Sequence, residues 1–144
     1  MSIKSILEQK GGRTVTVPPE TRISVAAHRM RAEGIGALVI SKDGRTIEGI
    51  LSERDIVNGL TQYGGAVIDL PVSQLMSKAV RACRPDSEIR EAMHVMTLHR
   101  IRHLPVTENG ILCGIVSIGD VVKYRLAEIE LEAGVMHDYI AARR

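Results

Sequence analysis

The sequence has no phenylalanine and no tryptophan, and its aromatic content is three tyrosines, Tyr63, Tyr124 and Tyr139. Proteins that stack the bases of single-stranded nucleic acid need aromatic rings, so that mode of binding has no platform here. The formal charge is only +2 over 144 residues, too little for a field that holds a phosphate backbone. Nucleic acid is therefore not expected as a partner. No apolar run approaches the ~18 residues that a membrane span needs. The opening residues, Met1 to Glu8, lack the apolar stretch of a signal peptide. A cytoplasmic protein without a membrane partner is the expectation. Cysteine is limited to Cys83 and Cys113. Both have apolar neighbours and read as small buried hydrophobes in a reducing compartment.

What is present is one pattern used twice. Gly49-Ile50-Leu51-Ser52-Glu53-Arg54-Asp55-Ile56-Val57 returns as Gly114-Ile115-Val116-Ser117-Ile118-Gly119-Asp120-Val121-Val122. Each copy is a strand running into a helix, with a hydroxyl and a carboxylate at the corner. Sliding the chain over itself by 66 positions pairs Pro19 with Pro85, Ile23 with Ile89, Ala26 with Ala92, Met30 with Met96, Leu38 with Leu104 and Gly44 with Gly110. Past that turn the offset is 65, an insertion that a loop absorbs cheaply. Matches spread in order over a whole unit establish an internal repeat.

Each unit reads β-α-β-β-α. In the first, Thr14 to Val17 is extended, a helix starts at Ser24 as N-cap and ends at Gly34, Ala37 to Ile40 and Ile47 to Ser52 are strands, and Glu53 to Tyr63 is a helix. In the second, Val80 to Cys83 is a strand and a helix follows Ser87. His103 to Thr107 and Leu112 to Ser117 are strands joined by an Asn109-Gly110 hairpin turn. A last helix runs to about Glu132, with a kink at Gly134. The organisation expected is an N-terminal helix over 1–12, repeat 1 over 13–65, a packed joint over 66–79, repeat 2 over 80–126 and a helical tail over 127–144. A unit of this size cannot bury both faces of its own sheet, so two units related by a pseudo-twofold axis should cover each other in an α/β (α+β) fold.

The pattern resembles a tandem pair of CBS domains, the Bateman module, over roughly residues 13–126. The resemblance rests on the two Gly-aliphatic-aliphatic-Ser-x-x-Asp segments, Thr16-Val17-x-Pro19, Arg102-His103-Leu104-Pro105-Val106, and Leu75-Met76 at the joint. It implies two β-α-β-β-α repeats packed through their sheets, and a non-catalytic sensor of adenine nucleotides. AMP is the implied ligand, with ATP, ADP or NADH as alternatives, and no cofactor is required. Such pairs commonly form homodimers. Tyr63, the 66–70 segment and Glu128, Glu130 and Glu132 are the expected contact. With no room for a catalytic domain before residue 13 or after 126, regulation is expected to act in trans on an effector protein that the sequence does not name.

Two readings of the Ser-x-x-Asp corners stand side by side. Serine can cap the helix while the aspartate reaches back to it, forming a capping box. Alternatively the carboxylate accepts both hydroxyls of a ribose, two donors meeting two acceptor oxygens. The resemblance carries the ribose role onto Asp55 and Asp120, with Ser52 and Ser117 beside them. Without aromatics, an adenine would lie between aliphatic walls. Val15, Val17, Ile35 and Ala37 are the expected wall of one pocket, and Val80, Ala82, Ile101 and Leu104, followed by Pro105, that of the other. Arg100, Arg102, His103 and His99 form the densest basic cluster for a phosphate, with Arg54 and Lys123 as further cations. Gly119 would allow close backbone approach. The first repeat has Gly36-Ala37 where the second has Arg102-His103, so the pocket at Ser117 and Asp120 is expected to be the tighter. The alternative function is a dimeric interaction scaffold with empty pockets. His94, His99 and His103 lack the further ligands of a zinc site, and no nucleophile elbow is present, so neither metal nor catalysis is expected.

Overall fold

In the computed structural model, which describes residues 1–11 and 14–143, the chain forms an α+β fold of two small sheets and five α-helices. Helix α1 spans Ile3–Lys10. Repeat 1 contributes β1 (Thr16–Val17), α2 (Ile23–Glu33), β2 (Ala37–Ile40), β3 (Gly49–Ser52) and α3 (Glu53–Tyr63). Two 3-10 turns, Gly64–Asp69 and Val72–Gln74, fill the joint. Repeat 2 contributes α4 (Ile89–His99), β4 (His103–Glu108), β5 (Ile111–Ser117) and α5 (Ile118–Ala142). The first sheet is ordered β1-β2-β3, with β1 parallel and β3 antiparallel to β2; the second is the β4–β5 hairpin. Asn109 and Gly110 both have positive φ, as its tight turn requires. No helix among the described residues is long and apolar enough to cross a membrane.

The expected strand over Val80 to Cys83 does not form. That segment meets β4 at one point, where Cys83 bridges Val106. The first repeat's counterpart, Thr14-Val15-Thr16-Val17, is β-branched throughout, whereas Val80-Arg81-Ala82-Cys83 has a single β-branched residue and little reason to extend a ladder. The helix starts also differ. Arg22 and Glu88 stand at the N-cap positions, not Ser24 and Ser87. The Ile23 and Ile89 N–H groups donate to the Leu70 and Met1 carbonyls, so backbone from outside the repeat satisfies the first turn. Helix α5 passes through Gly134 without a break, since one glycine costs a helix only about 1 kcal/mol.

Two buried clusters take the place of one shared core. Val17, Ile23, Leu38, Ile40 and Leu51 pack with Val67 and Val72 of the joint. Ile89, Met96, Leu104, Val116 and Val121 pack with Ile3 and Ile6 of α1. Each repeat is thus closed by the chain segment that precedes the other repeat. The two arms dock alike: Val72 N–H donates to Thr21 O at 2.7 Å and Ile3 N–H to Ser87 O at 2.9 Å, while Ser73 bonds Pro19 O and Lys4 bonds Pro85 O. Burying the aliphatic side chains of either arm contributes about 1.5–3 kcal/mol each, which fixes the arms on the sheets.

Candidate ligand-binding site

Both hydroxyl–acid corners form capping boxes. Ser52 accepts from the Asp55 N–H, and Asp55 Oδ2 accepts the Ser52 N–H at 2.8 Å and the Ser52 hydroxyl at 3.1 Å. Ser117 accepts from the Asp120 N–H at 3.1 Å, and Asp120 Oδ2 accepts the Ser117 N–H at 2.9 Å. The cap is made with one carboxylate oxygen in each case. Oδ1 of Asp55 accepts no hydrogen bond among the described residues, so capping and ligand binding are compatible on a single aspartate.

A cavity of about 400 Å³ opens at the first corner, a size suited to a nucleotide-scale ligand. Ile50, Ser52, Glu53, Arg54 and Asp55 of repeat 1 line one side. Val80, Arg81, Ile101, Arg102, His103 and Pro105 of repeat 2 line the other, with Ser77 and Ala79 of the joint between. The basic cluster is here too: His99 and Arg100 complete the wall. Four arginines face two carboxylates, so the cavity favours an anion. Arg54 Nη1 donates to the Arg100 carbonyl at 3.0 Å, a direct tie across the repeats. Arg100 holds φ +53° as the C-cap of α4, the position that Gly34 fills in repeat 1. A side chain in that left-handed region costs about 1–2 kcal/mol.

The residues singled out from sequence therefore separate. Gly36, Ser52, Arg54, Asp55, Val80, Arg102, His103 and Pro105 lie on the cavity. Val17, Ala37 and Leu104 are core residues, Val15 is half-buried against the repeat 1 core, and Ala82 is exposed. Ser117, Gly119, Asp120 and Lys123 do not line it. The expected grouping is corrected: the second repeat's walls and cations face the first repeat's corner, because that corner looks across the cleft and not onto its own sheet. Missed from sequence were Ser77, Ala79, Arg81, Ile50 and Glu53. Without a strand over 80–83, the adjacent residues Val80 and Arg81 both reach the cavity. A second cavity, of about 350 Å³, shares Gly36 and Glu53 and is otherwise walled by α2, the turn after it and Ile56.

At the second corner the carboxylate is engaged. Lys10 Nζ donates to Asp120 Oδ2 at 2.8 Å and to the Ile115 carbonyl at 3.0 Å. Burial alone would raise the Asp120 pKa, but the Lys10 ammonium and the Ser117 N–H outweigh it and hold the carboxyl below its ordinary value. His103 stands between the corners. It pairs with Ser117 across the β4–β5 ladder, and a Cβ on Gly36 would lie 3.1 Å from its ring. Burial lowers the His103 pKa; Glu53 and Asp120 pull it up, and Lys10 and Arg102 push it down. Cys83 and Cys113 are free thiols, and burial lifts Cys83 to about 12, which leaves it unreactive.

Comparison with known proteins identifies the family. The family model for the CBS domain matches residues 12–61 and again 72–127. The CBS domain-containing protein YhcV of Bacillus subtilis is 31% identical over 119 residues, covering 83% of this chain and 84% of its own length. An uncharacterised 17.7 kDa protein of Acidianus ambivalens is 36% identical over 112 residues; the match covers 77% of this chain and 66% of that protein. Among solved structures, a CBS-domain containing protein from Agrobacterium tumefaciens superposes with a TM-score of 0.83 at 44% identity, covering 87% of this chain and 99% of the other. A CBS domain protein from Pyrobaculum aerophilum, complexed with AMP, gives 0.78 at 25% identity, covering 92% of this chain and 99% of the other. The chain belongs to the CBS-domain family and carries two copies of that domain in tandem.

Proposed function

We propose that the protein is a non-catalytic regulatory module that binds an adenine nucleotide of the AMP type between its repeats and acts in trans on an effector protein. The observation that carries this reading is the cavity at Asp55. It joins a carboxylate with an open oxygen, aliphatic walls from Ile50, Val80 and Ile101, and four arginines, in one space of about 400 Å³. A ribose diol would donate to Asp55, the base would lie among the aliphatic side chains, and the phosphate would meet Arg54, Arg100 or Arg102. The AMP complex of the Pyrobaculum relative supports the ligand class. Because both repeats wall the cavity, a bound nucleotide would bias their relative packing, which a partner could read.

The test is calorimetric titration of the full chain with AMP, ATP and NADH, beside Asp55→Asn. Hydrogen bonds to a charged group contribute about 1.5–3 kcal/mol, so the variant should bind about 10- to 100-fold more weakly. Asp55→Asn binding as tightly as the wild type, or no heat from any of the three nucleotides with folded protein, would defeat the ribose assignment.

A second reading, a dimeric scaffold, is favoured by a separate feature. Beyond Glu128 every described residue of α5 is exposed, yet its face is apolar. We propose that a second copy of the chain covers that face. The expected contact needs one correction: Glu128 is 13% exposed and engaged by the Met1 amino group and Arg125, so it belongs to the fold of its own chain.

A further inference from the structure

The two repeats carry the same corner, but the arms lying against them differ. The matched docking of Val72 and Ile3 sets a register between the arms. It holds at the close-packed glycines, where a Cβ on Gly49 would meet Met76 and a Cβ on Gly114 would meet Leu7. Three residues further on, Ala79 corresponds to Lys10. Ala79 lines the open cavity at Asp55. Lys10 reaches the other corner, and its two acceptors, Asp120 and the Ile115 carbonyl, are the repeat counterparts of Asp55 and Ile50, both on that cavity. An ammonium therefore stands at the second corner, on Asp120 Oδ2 and the Ile115 carbonyl, where the first corner has open space beside Ala79.

We propose that Lys10 is a built-in occupant of the second cleft, so that the chain takes one nucleotide at Asp55 and takes another at Asp120 only when the Lys10 ammonium leaves that carboxylate. The inference rests on the ribose reading of the corners and adds which of the two is open. Competition is for place: Lys10 bonds the capping oxygen Oδ2 and the Ile115 carbonyl and leaves Oδ1 open, so its side chain and charge, standing at the corner, keep the ligand out. Helix α1 is not the moving part: Ile3 and Ile6 are fully buried and Leu7 is wedged at Gly114. Only the long Lys10 side chain has to swing, and its charge remains favourable in the last turn of α1.

A lysine that clamps the phosphate of a second ligand would give the opposite sign on removal, which makes the proposal decidable. The full chain is titrated with AMP and with ATP as wild type, Lys10→Met, Lys10→Gln, Lys10→Met/Asp120→Asn and Asp55→Asn, each confirmed folded by thermal melting. The expected result is one nucleotide per chain in the wild type. Both Lys10 variants should gain a second site at least tenfold tighter than any residual wild-type binding there, and Lys10→Met/Asp120→Asn should lose it. Two wild-type sites of equal affinity, one site in the Lys10 variants, or a weakened second site would overturn it. If the wild type binds nothing, the Asp55 reading falls by itself: an Asp120-dependent site appearing in the Lys10 variants would sustain the Lys10 assignment, and its absence would end both.

Discussion

His103 takes the strand position that Ala37 holds in repeat 1, and the exchange puts a titratable ring where the other repeat has a methyl group. Its folded pKa lies below its ordinary 6.5, chiefly through burial. The unfolded chain therefore binds the proton more readily, and stability rises with pH through that region. The stabilisation is present above pH 6.5 and is lost as pH falls below it. The groups facing the ring are Glu53 and Asp120 on one side of the balance and Lys10 and Arg102 on the other, so desolvation decides the sign. Denaturant unfolding between pH 7.5 and 5.5, chosen to bracket that value, should show wild-type stability falling toward acid by no more than ~1.4 kcal/mol per pH unit from this one group. His103→Gln should flatten that limb; an unchanged slope would remove His103 as its source. The sequence made the Ser52–Asp55 and Ser117–Asp120 corners legible because a capping box is local, three residues closing on themselves. It did not reveal that Arg102 and His103 serve the corner of the other repeat, since nothing in the spacing within a repeat encodes which way the cleft faces.

The arms are the elements on which the clefts depend, and the glycines beneath them set how closely they dock. A Cβ on Gly49 would lie 2.6 Å from Met76 Sδ and 2.9 Å from the Ser77 carbonyl oxygen, the latter backbone bonded to Ile50 in both directions. A Cβ on Gly114 would lie 2.5 Å from Leu7 Cδ2 and 3.2 Å from Cδ1, the tip of a side chain that can change rotamer. Gly49→Ala should therefore cost about 1–3 kcal/mol by denaturant unfolding, and Gly114→Ala about 1 kcal/mol. Gly49→Ala should also weaken nucleotide binding, because the displaced Ser77 leads directly into Ala79 and Val80 of the cavity wall. Equal costs for the two substitutions would show that the backbone contact at Ser77 yields as easily as a leucine tip. The same arms explain why the helix starts were misread. Ser24 and Ser87 are the residue types that cap helices, but the arm carbonyls reach the first turns instead, and Ser87 Oγ accepts from the Arg84 N–H. Repeat periodicity located the β-α-β-β-α units; the crossing of the arms is tertiary and left no mark in it.

At the scale of the whole molecule, the exposed apolar face of α5 is the surface on which the proposed dimer rests. Val122, Leu126, Ile129, Ala133, Met136 and Ile140 recur at alternating steps of four and three, the seam of a coiled coil, and all are exposed. The stretch from Ile129 to Ala142 would stand in water as an isolated helix of a length that is marginal by itself. Charge favours a second copy as the cover. With two such helices antiparallel and Leu126 opposite the partner's Ile129, Lys123 faces the partner's Glu130. The pair is attractive and recurs by symmetry. Sedimentation should then find a dimer, and Leu126→Glu/Ile129→Glu should yield a monomer. Circular dichroism of that monomer should show less helix, because the uncovered tail frays, while nucleotide binding at Asp55 persists. A wild-type monomer, or a variant that remains dimeric with unchanged helix content, would mean that α5 is covered by something other than its own copy, and would leave the cleft as the one regulated surface of the chain.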